Sequence, residues 1–211
     1  QVAYGMPQGG QAIVGGAAGM DTPSGGTMHI TSAATNNVIG WQDFSIQHGE
    51  KVQFDGKNYL NLVKGQGSSF IDGELTSPSG NVYLVNPNGV IFGAGAKVDV
   101  GAGTFAASTQ AIDTINQAAF VADGKCDLSA AGTTMDVVNL IDPTKGGSIK
   151  ASHVEMAGRN IRFLSTDSVK TAGATVHLQS NRSPVAEIDK GYVHIGYEAA
   201  VGDSYAGVDP A

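Results

Sequence analysis

Apolar and polar residues alternate here in short blocks, divided by corners of glycine, asparagine and proline, and no long stretch repeats at a helical period. Strands are predicted at residues 27–30, 38–41, 51–54, 59–63, 80–83 and 96–100. A later group falls at 149–154, 160–164, 175–178 and 192–195, announced by Gly146-Gly147, Gly158, Gly173 and Gly191. Several of these alternate apolar with polar residues, the pattern of a strand with one buried face. The best helical candidate is short, residues 113–120, with Asp113 available as its N-cap.

The sharpest local signal is Asn81-Val82-Tyr83-Leu84-Val85-Asn86-Pro87-Asn88-Gly89-Val90-Ile91-Phe92-Gly93. Asparagine suits the first position of a type I turn, proline presets the second and glycine suits the fourth, while Asn88 also tolerates the positive φ of a type II turn. Val85-Asn86 is held extended by the proline that follows. The motif therefore predicts strand, tight corner, strand. Asp72-Gly73-Glu74 predicts a simpler turn.

Thirty glycines, seven prolines and only 15% charged residues in 211 indicate an all-β chain with many corners, long enough for a single core. The spacing of the corners fits either a sandwich or a solenoid. In a solenoid the glycine-rich start, residues 1–26, and its first strands cover the initial coil.

A net charge of −7 and scattered Lys145, Lys150, Arg159, Arg162, Lys170 and Arg182 exclude a nucleic-acid surface. No uninterrupted apolar stretch approaches the ~20 residues of a membrane helix. Gln1-Val2-Ala3-Tyr4 has neither the basic start nor the apolar core of a signal peptide, as expected for a mature terminus after cleavage and equally for a cytosolic chain. Cys126 is the single cysteine and reads as a small apolar residue. No catalytic set, metal site or cofactor is expected: Asp43, Asp55, Asp72, Glu74 and Asp99 lack a positioned partner, and His29, His48, His153, His177 and His194 show no ligand spacing. Gly93-Ala94-Gly95 lacks the Gly-Lys-Ser/Thr ending of a phosphate loop. Trp41, Phe44 and Phe54 are candidates for a ligand platform, though Trp41, the single tryptophan, reads first as a core anchor.

Taken in order, Met6-Pro7-Gln8-Gly9-Gly10, Asn37-Val38-Ile39-Gly40-Trp41-Gln42-Asp43-Phe44-Ser45-Ile46, Leu60-Asn61-Leu62-Val63, the Asn86-Pro87-Asn88-Gly89 segment, Gly95-Ala96-Lys97-Val98-Asp99-Val100-Gly101 and Ala106-Ala107-Ser108-Thr109 form a pattern. It resembles the amino-terminal secretion domain of two-partner-secreted exoproteins, the filamentous-haemagglutinin family, and within it the high-molecular-weight-adhesin branch. That branch is indicated partly by the lack of a second asparagine-proline motif upstream of Asn86. Leu62 departs from the pattern, standing where the branch often has arginine, and Gly103-Thr104-Phe105-Ala106 replaces a Gly-Gly-Leu-Val type of segment.

The resemblance implies a right-handed parallel β-helix with an N-terminal cap and extra-helical strands. It implies one secretion domain over residues 1–211, with a cap over about 1–36 and a core over about 37–200, cut from a larger exoprotein. The expected partner is an outer-membrane pore protein acting through its periplasmic POTRA domains, with the host surface reached by a downstream region. The monomer is expected to pass through the periplasm to the surface, or to the medium, of a Gram-negative bacterium. The residues implied in the secretion motif and in partner recognition are Asn86, Pro87, Asn88 and Gly89, with Asn37, Trp41, Phe44 and Asn61. A β-helical polysaccharide lyase or hydrolase, and a glycan-binding adhesin module, stay open as alternatives.

Overall fold

The computed structural model describes residues 5–14, 19–20 and 25–163, and beyond them the backbone of strands at 169–171, 176–180, 186–189 and 192–195. Residues 1–4, Gly173, Gly191, the ends of the predicted strands at Leu164 and Thr175, and the side chains of Lys170, His177, Arg182 and His194 lie outside the described residues. Three sheets form the walls of a β-helix. The first holds β1 (Gln11–Val14), β4 (Asn36–Trp41), β6 (Asn58–Val63), β9 (Val82–Val85), β12 (Thr104–Ser108), β15 (His153–Gly158) and β18 (Val176–Ser180). The second holds β7 (Ser69–Ile71), β10 (Val90–Phe92), β13 (Val137–Asn139), β16 (Ile161–Phe163), β20 (Tyr192–Ile195) and β19 (Ala186–Asp189). The third holds β2 (Gly19–Met20), β3 (Thr27–Thr31), β5 (Lys51–Phe54), β8 (Glu74–Thr76), β11 (Lys97–Asp99), β14 (Ser148–Ala151) and β17 (Val169–Thr171).

The chain runs from third sheet to first to second and back again, making about six coils stacked in parallel. β9 and β10 pair with neighbours in different sheets and not with one another, so the corner between them is no hairpin and a sandwich is excluded. Antiparallel strands close the described stack at both ends: β1 lies on β4 and β2 on β3 at the start, while β20 lies on β16 and carries β19.

Parallel register stacks like positions into columns. Met28, Val52, Leu75, Val98 and Ile149 form one inward column of the third sheet, and its outward positions are exposed or half-buried. There the alternation read from the sequence holds. The first sheet differs, because β4, β6 and β9 are buried on both faces apart from the leading residues of β4 and β6. Runs such as Val82-Tyr83-Leu84-Val85 are continuous apolar segments for that reason.

The outer cover is residues 109–136, an excursion between β12 and β13. It contains a 3₁₀ turn (Ile112–Thr114) and one helix, α1 (Gln117–Asp123). The helix starts later than expected: its N-cap is Asn116, whose side-chain oxygen accepts from Ala119 N at 2.9 Å, and Asp113 lies inside the 3₁₀ turn. Other boundaries move as well, the strand predicted at 80–83 running over Val82–Val85. Residues 149–154 split into β14 and β15 at Ser152, which donates to Gly103 O, and Glu74 leaves the predicted turn to open β8.

Where coils touch at corners, only glycine fits. A Cβ on Gly103 would strike Gly80 O, so Gly103→Ala is expected to cost roughly 1–3 kcal/mol or more by overpacking. Gly132 faces open space with φ +73°, and Gly132→Ala is expected to cost only about 1 kcal/mol from its backbone conformation. Thermal unfolding of the two variants checks this contrast.

Candidate functional site: the corner at residues 86–89

The corner joins β9 in the first sheet to β10 in the second. Gly89 N donates to Asn86 O at 3.1 Å, closing the turn. The Asn86 side-chain oxygen accepts from Asn88 N at 2.9 Å, the self-contained bond that turn chemistry predicts for asparagine. Its amide nitrogen points to the preceding coil, donating to Gly67 O at 2.9 Å and to Ser69 Oγ at 3.0 Å. Asn88 does the same from the turn's third position, donating to Gly65 O at 2.8 Å. Asn86 N reaches forward to Ser108 O at 2.9 Å, so the corner is fastened to the coils on both sides.

Asn86 is fully buried, while Pro87 and Asn88 are half-buried. Gly89 is required for its backbone conformation. Its φ is +116°, yet a Cβ there would touch nothing closer than Ser68 Cβ at 3.5 Å, so conformation and not space excludes other residues.

The remaining expected site residues lie inside the β-helix. Asn61 shares an inward column with Ile39 and Leu84; it accepts from Trp41 Nε1 at 2.9 Å and donates to Tyr83 O at 3.0 Å. Asn37 is fully buried, donating to Ala34 O at 3.0 Å and accepting from Ser32 Oγ at 2.6 Å. Trp41 and Phe44 meet edge to face at 5.4 Å, both 1% exposed or less. Phe54 is buried as well, so these rings are core and not a platform. The structure brings Trp41 and Asn61 together and gathers the tetrapeptide, and it presents only Pro87 and Asn88 toward solvent.

A second asparagine set was missed in the sequence reading. Asn58 donates to the Asn36 side-chain oxygen at 2.8 Å and accepts from Asn81 N at 2.8 Å, one rung per coil. Asn36 also donates to Val121 O at 2.8 Å and Asn81 to Gly124 O at 2.7 Å, satisfying carbonyls at the open C-terminal end of α1. The available signal was asparagine recurring at the entry to successive strands of the first sheet.

Beside α1 lies a cavity of about 510 Å³ lined by Asn81, Tyr83, Cys126, His153 and Glu155 among others. Burial first, then the charges of Glu155 and Asp127, pushes the Cys126 thiol up to about 11, leaving it protonated and a poor nucleophile at neutral pH. His153 Nε2 lies 3.6 Å from Glu155, but burial dominates and holds the imidazole below its ordinary value. Among the described residues no three His, Cys, Asp or Glu side chains are placed to hold a metal ion, and no helix is long and apolar enough to cross a membrane.

A family model for the TPS secretion domain matches residues 7–204, nearly the whole chain. The chain belongs to the TPS secretion domain family. Exoproteins of this family are exported across the outer membrane of Gram-negative bacteria with an outer-membrane TpsB transporter as partner. Two heme/hemopexin-binding proteins of Haemophilus influenzae are similar to it. One is 38% identical over 116 residues, covering 53% of this chain and 12% of the relative. The other is 39% identical over 77 residues, covering 35% and 8%. The crystal structure of the HMW1 secretion domain from Haemophilus influenzae superposes with a TM-score of 0.57 at 21% identity, covering 94% of this chain and 49% of that one, a likeness of fold. The chain thus spans about half of the solved TPS domain and a small part of the curated relatives.

Two outcomes are expected of the TPS domain in solution. Asn86→Ala leaves Gly67 O and Asn88 N without their partner and costs about 1–3 kcal/mol, read as a lower thermal midpoint. His153 folds preferentially neutral, so its contribution to stability is present above its unfolded pKa of ~6.5 and is lost as pH falls below that toward the lower folded value. Replacing it by glutamine should flatten the loss of stability between pH 7 and 5 in chemical unfolding.

Proposed function

We propose that this domain is the export and recognition module of a much larger exoprotein, captured by the periplasmic POTRA domains of an outer-membrane pore and nucleating β-helix folding at the cell surface. The observation that carries the reading is the inward bonding of the corner at residues 86–89. Its amides are committed to carbonyls of the neighbouring coil, so the tetrapeptide serves export by shaping a coil on which the next can stack. Asn37, Trp41, Phe44 and Asn61 act the same way from the interior. Direct contact with the partner falls to the half-buried Pro87 and Asn88 and is the lesser contribution. The domain has no turnover chemistry of its own, and the final location of the parent chain, surface or medium, follows from its downstream region.

Secretion and folding of three variants, with the cognate pore co-expressed, test this. Asn86→Ala and Gly89→Val should lower the thermal midpoint and abolish secretion together. If Asn88→Ala leaves folding untouched but eliminates binding to the isolated periplasmic domains, the corner is a contact surface instead. Capture of an extended chain by strand addition through Val82–Val85 and Val90–Phe92 predicts secretion that survives loss of the folded corner. Cleavage of acidic polysaccharide that is lost on replacing Asp72 or Asp99 would return the domain to the enzymes.

A further inference from the structure

Residues 109–136 stand apart from the coils physically. None belongs to a strand, and the ladder bonds they share with the sheets fall at their two ends. Their own ordered part is α1, too short at seven residues to persist alone. Their backbone bonds to the coils sit at the two ends: Thr109 N donates to Ala157 O at 3.0 Å, Arg159 N to Met135 O at 2.9 Å and Val90 N to Asp136 O at 3.4 Å. Between those ends they are tied down by coil side chains, Asn36 to Val121 O and Asn81 to Gly124 O.

Their apolar residues also belong to a different core. Ile115, Phe120, Cys126, Leu128 and Ala130 pack on Val38, Leu60, Leu62, Tyr83 and Val85 outside the first sheet, while the interior of the β-helix forms its own separate cluster. Phe120 is fully buried, 5.2 Å from the Tyr83 ring and edge-on to it. Two clusters joined through one sheet can be lost one at a time.

We propose that residues 109–136 form a strap that opens as a unit while the six coils stay folded, uncovering the apolar outer face of β4, β6 and β9. The strap follows β4, β6 and β9 in the sequence, so a chain emerging from its N-terminus builds that face before the cover for it exists. In the export reading, on which this significance rests, strap closure is the late step that seals the domain. The opening itself is intrinsic and is measured without any pore protein, so it fails or stands apart from secretion.

Cys126, 8% exposed on the inner side of the strap itself, reports opening by its rate of maleimide labelling in the intact chain, and Trp41, buried in the other cluster, reports global unfolding by fluorescence. Both are followed across a urea series. Labelling should show a clearly shallower urea dependence than Trp41 unfolding, because less surface is exposed. Phe120→Ala should speed labelling by roughly a hundredfold or more while leaving the shallow urea dependence of labelling unchanged. Leu84→Ala, in the interior cluster, should shift the Trp41 midpoint and leave labelling at low urea unchanged. Labelling that tracks Trp41 unfolding, or that ignores both urea and Phe120→Ala, overturns the strap.

Discussion

A parallel stack of coils satisfies its backbone along the strands and leaves it unsatisfied at the corners, where the ladder stops. Each corner carbonyl and amide buried there must find a partner or cost free energy comparable to a lost hydrogen bond. This domain solves the problem with asparagine side chains that reach from one coil to the next. Asn86 and Asn88 do so at the corner from first sheet to second, and Asn36, Asn58 and Asn81 at the corner from third to first. The shape of each coil is therefore set by its neighbours. No coil holds its corner alone, and at the described ends of the stack antiparallel strands pair with strand edges that have no further coil beside them.

The turn chemistry of residues 86–89 was legible because its causes are local: a proline ring at the second position, an asparagine that bonds two residues on and a glycine suited to the fourth. What the corner holds was not legible. Gly65 and Gly67 contribute bare carbonyls, and nothing in a sequence marks a carbonyl as an acceptor for a side chain about twenty residues away. The same limit hid β7, whose three residues include an outward Phe70 and an inward Ser69 that inverts the usual pattern. Ser69 is inward because it meets the Asn86 amide, a tertiary reason with no local trace.

The helix shows how tertiary contacts decide between equal local signals. Asp113 and Asn116 are both competent N-caps. Starting at Asn116 places Phe120 on Tyr83 and leaves the closing carbonyls of Val121 and Gly124 facing Asn36 and Asn81, with Gly124 at φ +69° where a Cβ would press on the Asn58 amide. The continuous apolar run of β9 matches its burial on both faces, whereas β4 and β6 carry buried asparagines among their apolar residues. The cover itself had no signal in the sequence, because the segment that supplies it has only scattered apolar residues and no periodicity.

The strap and the tetrapeptide occupy the same corner in consecutive coils. Coil to coil, the path from first sheet to second is a four-residue turn after β9 and the whole excursion after β12. The strap must return to the register that β10 sets for β13, in which Val90 lies opposite Val137. It is received there by the tight turn: Val90 N donates to Asp136 O at 3.4 Å, and Gly89 lies against Met135 and Asp136. On the far side Thr109 Oγ1 closes the excursion by donating to Met135 O at 2.7 Å. A fixed corner at residues 86–89 is thus a condition for landing the strap, and the strap in turn seals the apolar face through which β9 enters that corner. Disturbing Gly89 reaches backward to Ser69, whose N donates to Gly89 O at 2.9 Å, and forward to Asp136, so one residue's backbone conformation bears on three coils at once.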